Sequence, residues 1–221
     1  MSRRLLHIII TTILFAGLVV AYFSCQPLGI DGQLMRDLVK TSPVLFLCLS
    51  TLIGGWRSRG VLPLALLFSA CGDLAGEHRE FILQIAMFAI AHIAYFVHFI
   101  RRATIDRTSI VLWSILSVMV ITLGVIVIGH ISKPTESVAC SIYIVIIATM
   151  ASSAIACRTP YRVWNIVAAL LFIFSDSCIA INRFVERIPH AGLLIMTTYF
   201  AAQYIFATVY LTENSNRNAH N

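Results

Sequence analysis

The chain has too few charged residues for a soluble domain. Only 12% of its 221 residues are charged, whereas soluble domains carry about 25%. In contrast, 59% of the residues are hydrophobic, and the mean hydropathy is +0.87. A chain of this length could not hide so much apolar surface from water, so we predict an integral membrane protein.

The common signatures of soluble enzymes are also missing. The sequence contains no glycine-rich phosphate loop, no G-x-S-x-G turn and no H-E-x-x-H helix. Its six cysteines form no C-x-x-C pair and no zinc-spaced group with histidine, so we interpret them as packing residues. We therefore expect neither a metal nor a cofactor. The net charge of +6 requires no nucleic-acid partner, because basic residues in short loops also set membrane topology.

Apolar runs of membrane-spanning length fill the sequence. A helix needs roughly 20 mostly apolar residues to cross the hydrocarbon core. We predict eight spans, of which the third is the shortest: 5–24, 38–56, 61–76, 80–100, 109–129, 136–157, 162–182 and 189–211. The expected fold is an all-α, polytopic membrane helix bundle, with a single transmembrane domain at 1–211 and a short polar tail at 212–221.

The fate of the first span and the side of the membrane on which the termini lie can be predicted from the sequence. The first span is expected to remain as a membrane helix, because no small-x-small cleavage site precedes Gln26. With eight spans, ten of the sixteen basic residues fall on the side of the two termini: Arg3, Arg4, Arg57, Arg59, Arg101, Arg102, Arg107, Arg158, Arg162 and Arg217. The positive-inside rule then predicts that both termini are cytoplasmic.

Two acidic residues, Asp73 and Asp176, lie within apolar segments, whereas the other eight fall in loops, at helix ends or in the tail. An aspartate at the centre of a span costs about 2.5–3.5 kcal/mol on insertion scales, so it normally faces the bundle interior and marks function. At 1.5 Å per residue, Asp73 would lie about 18 Å beyond Val61 and Asp176 about 21 Å beyond Arg162. This agreement in depth predicts that the two carboxyl groups meet within about 8 Å, close enough to share a substrate and a water.

The residues that share a helix face with each aspartate are different. Ser69, Gly72, Asp73 and Gly76 form a stripe of small and polar groups, which predicts that another helix approaches closely there. Asp176 is expected to share a helix face with Arg183.

Other polar side chains lie within the spans or at their ends, and we assign these to the substrate site: Lys40, His92, Tyr95, Tyr143, Arg183, Tyr199 and Gln203. Each has a structural alternative. His92, which shares a helix face with Tyr95, could simply hydrogen-bond a neighbouring helix. Lys40 and Arg183, at the outer ends of spans two and seven, could extend to the interface as anchors or hold a lipid phosphate.

Several segments resemble one membrane-protein family. They are LLFSACGDLAG at 66–76, F-x₃-H-x₂-Y at 88–95, LLFIFSDSCIAINRF at 170–184, K-x-x-P at 40–43 and TTYFAAQYIF at 197–206. Together they resemble the YhhN-like, lysoplasmalogenase family. The S-D-S-x-I-A-x-N-[RK]-F segment is the most specific of them.

This resemblance implies eight membrane helices and an enzyme. Characterised animal members hydrolyse the vinyl ether bond of lysoplasmalogens to a fatty aldehyde and a glycerophospho-base. The implicated aspartates match Asp73 and Asp176, and the specific motif adds Asn182 to the expected substrate site. The implied partners are a lysophospholipid substrate and membrane lipid, and the implied location is the bacterial inner membrane.

Vinyl ether hydrolysis requires an acid. Protonation of the β-carbon gives an oxocarbenium ion, which water captures as a hemiacetal that collapses to aldehyde and alcohol. Burial disfavours the charged form of a carboxyl group, and two adjacent carboxyls cannot both ionise easily. We therefore expect one aspartic acid and one aspartate, which protonate carbon and orient water. The sequence does not assign these roles.

Two other functions use paired aspartates. An intramembrane aspartyl protease is disfavoured, because the segment A-C-G-D at 70–73 has alanine where such proteases have glycine, and the partner motif is Ser-Asp rather than Tyr-Asp. The alternative function is a proton-coupled transporter or a lipid-binding protein, since a buried aspartate pair also suits proton coupling. No pair of Gly/Pro-broken helices supports transport.

Overall fold

The computed structural model describes residues 3–25, 32–55 and 60–217, and within these ranges every regular element is a helix. The eight α-helices are α1 (Arg3–Cys25), α2 (Gln33–Gly55), α3 (Leu62–Glu77), α4 (Phe81–Ile100), α5 (Arg107–Gly129), α6 (Pro134–Ala156), α7 (Arg162–Ala180) and α8 (Ala191–Arg217). A π-helical turn, Ile181–Val185, continues α7. The predicted all-α bundle is confirmed.

Seven of the described helices are long and apolar enough to cross a membrane. Helix α3 is the exception, because its 16 residues rise only about 24 Å, against a hydrocarbon core of about 30 Å. The chain is therefore an integral, multi-pass membrane protein. Crossing by α3 stays a prediction, as does the grouping of all spans into one domain.

Helix α8 continues beyond the predicted end of the last span. It extends to Arg217, so part of the segment expected to be a polar tail is helical. The Thr212 hydroxyl donates to the Thr208 carbonyl oxygen at 2.7 Å, while Glu213 and Asn214 are buried. Residues 218–221 lie outside the described part of the chain, as do Arg57 and Arg59, which entered the orientation argument.

The described residues form two compact units, of which the first comprises those between residues 3 and 91 and between residues 203 and 217. In it, α1 and α2 are joined by a polar contact: Thr11 Oγ1 lies 2.6 Å from Ser50 Oγ, which lies 3.1 Å from His7 Nε2. Each of these polar groups inside the apolar pair of helices thus has a partner, which lipid could not supply.

The small-residue stripe on α3 packs against α4 in this first unit. A methyl group built on Gly72 would lie 2.9 Å from the Phe88 ring, and one built on Gly76 would lie 2.6 Å from the Gln84 amide. The predicted close helix approach is therefore confirmed, and glycine is the residue that permits it.

The second unit comprises residues 92–202. Asp106 caps α5 by accepting from the Ser109 backbone N–H at 2.7 Å. It also accepts from Arg162 through both carboxylate oxygens, at 2.9 and 3.1 Å, and from Arg158 at 2.5 Å. The Arg162 hydrogen bonds, followed by those of Ser109, hold the pKa of Asp106 well below its usual range. These contacts tie the loop before α5 to the loop before α7.

Replacing Gly72 by alanine should destabilise the first unit. The new methyl group would lie 2.9 Å from a Phe88 ring carbon, and such overpacking costs about 1–3 kcal/mol. Gly17→Ala is the matched control, because nothing lies within 4 Å of the added methyl group and alanine favours helix by about 0.5–1 kcal/mol. Thermal unfolding in detergent should give a lower Tm for Gly72→Ala than for Gly17→Ala, and equal values would contradict the close packing.

Candidate active site

Asp176 is held by a side chain from the neighbouring helix of the second unit. The hydroxyl of Tyr143 on α6 donates to Asp176 Oδ2 on α7 at 2.5 Å. The Asp176 side chain is 11% exposed, so it remains accessible beside its partner. This hydrogen bond orients the Asp176 side chain toward α6.

His92 completes a group of three polar side chains. Its Nε2 lies 2.9 Å from the Tyr143 hydroxyl oxygen and 3.5 Å from Asp176 Oδ2. Because the single hydroxyl proton of Tyr143 is directed at Asp176, the phenol oxygen is left to accept from an Nε2–H of His92. This arrangement selects the tautomer or the charged form that carries a proton on Nε2.

The other ring nitrogen of His92 has no hydrogen-bond partner among the described residues. His92 is completely buried, and its Nδ1 is one of the few enclosed polar atoms in that state. A buried polar atom without a partner costs free energy comparable to a lost hydrogen bond, and such atoms call for an explanation such as a catalytic role or a water. In this group, Nδ1 is the position where a proton or a water could be added.

Aromatic rings enclose the polar group. The Phe172 ring packs edge-on against His92, with centroids 4.6 Å apart, and edge-on against Tyr199, with centroids 5.4 Å apart. Tyr95 is completely buried beside His92 at 6.4 Å. The rings lower the local polarity around the carboxylate, which strengthens its hydrogen bonds. The structure thus brings together five of the predicted site residues, namely His92, Tyr95, Tyr143, Asp176 and Tyr199.

Asp73 belongs to the first unit. It is 3% exposed on α3, within the small-residue stripe. Ser69, one helical turn earlier, is completely buried, and its hydroxyl oxygen has no hydrogen-bond partner among the described residues. The expected approach of Asp73 to Asp176 and their matched depth stay predictions.

The two cations predicted at the mouth of the site are both paired with glutamates. In the first unit, Lys40 Nζ lies 3.4 Å from Glu77, which Arg36 also contacts at 3.4 Å. In the second unit, Arg183 lies 3.3 Å from Glu136. A role for Lys40 and Arg183 in holding phosphate stays a prediction.

The last two predicted site residues are Asn182 and Gln203. Asn182 lies in the π-helical turn and accepts from the Ile188 backbone N–H at 2.9 Å, which orders the chain before α8. Single π-helical turns occur frequently at functional sites. Gln203 is completely buried in the first unit. Substrate contacts for both residues stay predictions.

Glu136 is a residue that the sequence reasoning missed. It is nearly buried at the first turn of α6, where it accepts hydrogen bonds from Lys133 and Arg183. The sequence does carry one signal for it, because Glu136 precedes Tyr143 by seven residues and so lies on the same face of α6. In the part of the chain that the structure describes, no group of three or more His, Cys, Asp or Glu side chains is placed to hold a metal ion.

Comparison with known proteins identifies related chains. Lysoplasmalogenase TMEM86B of Sus scrofa is 34% identical over 177 residues, which cover 80% of this chain and 74% of that protein. Lysoplasmalogenase TMEM86A of Homo sapiens is 28% identical over 190 residues, covering 78% and 77% of the two chains. A lysoplasmalogenase of Mycobacterium bovis is 28% identical over 156 residues, covering 66% of this chain and 59% of that protein. No solved structure matches the chain.

The family model extends over most of the bundle. It matches residues 35–209, from the first turn of α2 into α8, and so includes both aspartates and every other predicted site residue. This match exceeds half of the 221 residues. The chain belongs to the YhhN family.

Proposed function

We propose that this protein hydrolyses the vinyl ether bond of lysoplasmalogens, releasing a fatty aldehyde and a glycerophospho-base. Its relatives are named lysoplasmalogenases, and the resemblance extends over most of the chain. The observation that carries the proposal is the hydrogen-bonded group of Asp176, Tyr143 and His92 inside an apolar helix bundle. Such a group can hold and move a proton among apolar side chains.

The two aspartates are proposed to divide the acid and base roles. Asp176 Oδ2 already accepts from Tyr143, and Asp176 is proposed to stabilise the oxocarbenium ion and to orient the water. Asp73 is buried on α3, and it is the other aspartate that the family resemblance implicates. Asp73 is therefore the proposed donor of the proton to the β-carbon.

His92 and Tyr143 are proposed to position Asp176. Tyr143 fixes the carboxylate by its hydroxyl, while His92 contacts the phenol oxygen and also lies 3.5 Å from Asp176 Oδ2. A carboxylate fixed in this way needs no reorientation when positive charge develops on the substrate. Such preorganised electrostatic stabilisation usually accelerates a reaction more than any other single effect. Tyr95 and Tyr199 would then border the lipid chain.

We further propose that the protein lies in the bacterial inner membrane with both termini in the cytoplasm. The excess of arginine on one predicted side supports this orientation. The active site would then draw its substrate directly from the bilayer, which is where lysophospholipids partition.

Asp73→Asn and Asp176→Asn should each abolish most of the hydrolysis. Asparagine keeps the size of the side chain but cannot supply or hold the proton, so turnover of a vinyl-ether lysolipid should fall by about 10² or more. Aldehyde release by the purified variants in detergent measures this, and binding of an alkyl-ether lysolipid, which has no double bond to protonate, should persist in both.

Asp37→Asn is the matched control for these variants. Asp37 accepts hydrogen bonds from Gln33 and His78 in the first turns of α2 and has no proposed role in the reaction, so its replacement should leave turnover unchanged. Substantial hydrolysis by both Asp73→Asn and Asp176→Asn would reject them as the acid and its partner. Absence of aldehyde from the wild-type protein would favour the transporter or lipid-binding function instead.

Tyr143→Phe should lower turnover while leaving substrate affinity nearly unchanged. The variant removes only the hydroxyl that joins Asp176 to His92, and losing one hydrogen bond to a charged group costs about 1.5–3 kcal/mol, or about tenfold or more in rate. Tyr161→Phe is the control, because the Tyr161 hydroxyl makes no hydrogen bond among the described residues. If kcat is equal in both variants, Tyr143 does not position the carboxylate.

A further inference from the structure

Helices α6 and α7 contact each other through polar side chains at two levels. At the deeper level, Tyr143 of α6 donates to Asp176 of α7. At the end of the helices, Arg183, in the π-helical turn that follows α7, donates to Glu136 of α6 at 3.3 Å. Seven residues separate the two levels on each chain segment, and at 1.5 Å per residue this spacing is about 10 Å.

The outer level has two cations around one carboxylate. Glu136 Oε1 lies 3.3 Å from Lys133 Nζ and 3.3 Å from Arg183 Nη2. The Glu136 side chain is only 12% exposed, whereas Arg183 is 40% and Lys133 is 74% exposed. The carboxylate thus keeps a small exposed fraction between its two partners, and both cations are partly exposed to solvent.

This charge arrangement is complementary to a zwitterion. A phosphate would find two cations, Lys133 and Arg183, and an ammonium group a few bonds away would find the carboxylate of Glu136. Bidentate or paired contacts to phosphate are a property of arginine, and ammonium groups donate readily to carboxylates. Ethanolamine phosphate carries both charges, whereas phosphoglycerol carries the negative charge alone.

The distance between the two levels matches the substrate of the proposed reaction. In a lysoplasmalogen, about seven bonds join the phosphorus atom to the β-carbon of the vinyl ether, or about 8 Å when extended. The separation of Arg183 from Asp176 along the helix is about 10 Å. A lipid with its phosphate at Arg183 is therefore long enough for its vinyl ether to reach the level of Asp176.

We propose that Lys133, Glu136 and Arg183 form a headgroup subsite that selects zwitterionic lysolipids, with phosphate at the two cations and ammonium at Glu136. The subsite rests on the proposed function, since it supplies headgroup specificity to that reaction. Glu136 is the residue that determines specificity, because it attracts a positive headgroup and repels an anionic one. Glu136 also lies in the first turn of α6, where a carboxylate stabilises the helix, so a test must separate headgroup preference from stability.

Binding of lysolipids that cannot be hydrolysed provides this test. The probes are alkyl-ether lysolipids with either an ethanolamine or a phosphoglycerol headgroup, titrated into the purified protein in detergent. Glu136→Gln should weaken ethanolamine binding about tenfold or more but not phosphoglycerol binding, since only the former loses a charged hydrogen bond. Glu136→Asp, which keeps the charge, should retain the preference. Arg183→Ala should weaken binding of both lipids about tenfold.

Two neighbouring residues serve as controls with the same change of charge. Glu186→Gln and Arg187→Ala alter exposed side chains that make no ion pair among the described residues, so neither should change the preference. Inorganic phosphate at the lipid concentration should not displace the ethanolamine lipid, because it carries no ammonium group for Glu136 and no lipid chain. Displacement by phosphate alone, or an equal effect of Glu136→Gln on both lipids, would overturn the subsite.

The binding test of the subsite and the hydrolysis test of the proposed function can fail independently. If the wild-type protein releases no aldehyde from any vinyl-ether lysolipid but shows the expected binding pattern, hydrolysis fails and the subsite stands. If aldehyde is released while Glu136→Gln and Arg183→Ala bind both lipids like the wild-type protein, the subsite fails and hydrolysis stands.

Discussion

A carboxylate within a lipid bilayer requires a hydrogen-bond donor, because hydrocarbon cannot hydrate it. In the second unit, Asp176 obtains that donor from Tyr143, and Tyr143 in turn is held by His92. A second polar contact also holds α6 beside α7. Arg183, seven residues after Asp176, donates to Glu136, seven residues before Tyr143. Two polar contacts in otherwise apolar helices thereby fix one register of the pair, which apolar packing alone would specify less sharply.

Most of the fold follows from local sequence patterns. Apolar runs of spanning length predict the helices because the bilayer core imposes a length on them, and the structure places all eight close to the expected positions. The spacing of Gly72 and Gly76 also predicts a close helix contact, since small residues one turn apart leave room on one face; Phe88 and Gln84 of α4 fill that room. Polarity predicts exposure less reliably. Glu213 and Asn214 are polar residues of the expected tail, yet both are buried in α8.

The site was harder to predict than the fold. Asp73 and Asp176 are conspicuous as charges in apolar runs, but nothing in local spacing relates positions 92, 143 and 176, which come from three different helices. The hydrogen bonds among them are a product of tertiary packing, so the sequence marked His92 and Tyr143 as candidates without indicating their partner. Glu136 was missed because a carboxylate at a helix end is usually solvated, and only the structure shows two cations around it.

The central claim is that an acid in this site delivers a proton to the vinyl β-carbon, and solvent deuterium tests it most directly. Purified protein should convert a lysoplasmenyl-ethanolamine in D₂O to an aldehyde with one deuterium on the carbon next to the carbonyl group, at a lower rate than in H₂O because the transferred proton moves in the slow step. Preformed aldehyde incubated with the protein controls for exchange. Asp73→Asn, which removes the proposed acid, should release little or no labelled aldehyde. Release of unlabelled aldehyde by the wild-type protein would contradict protonation at carbon.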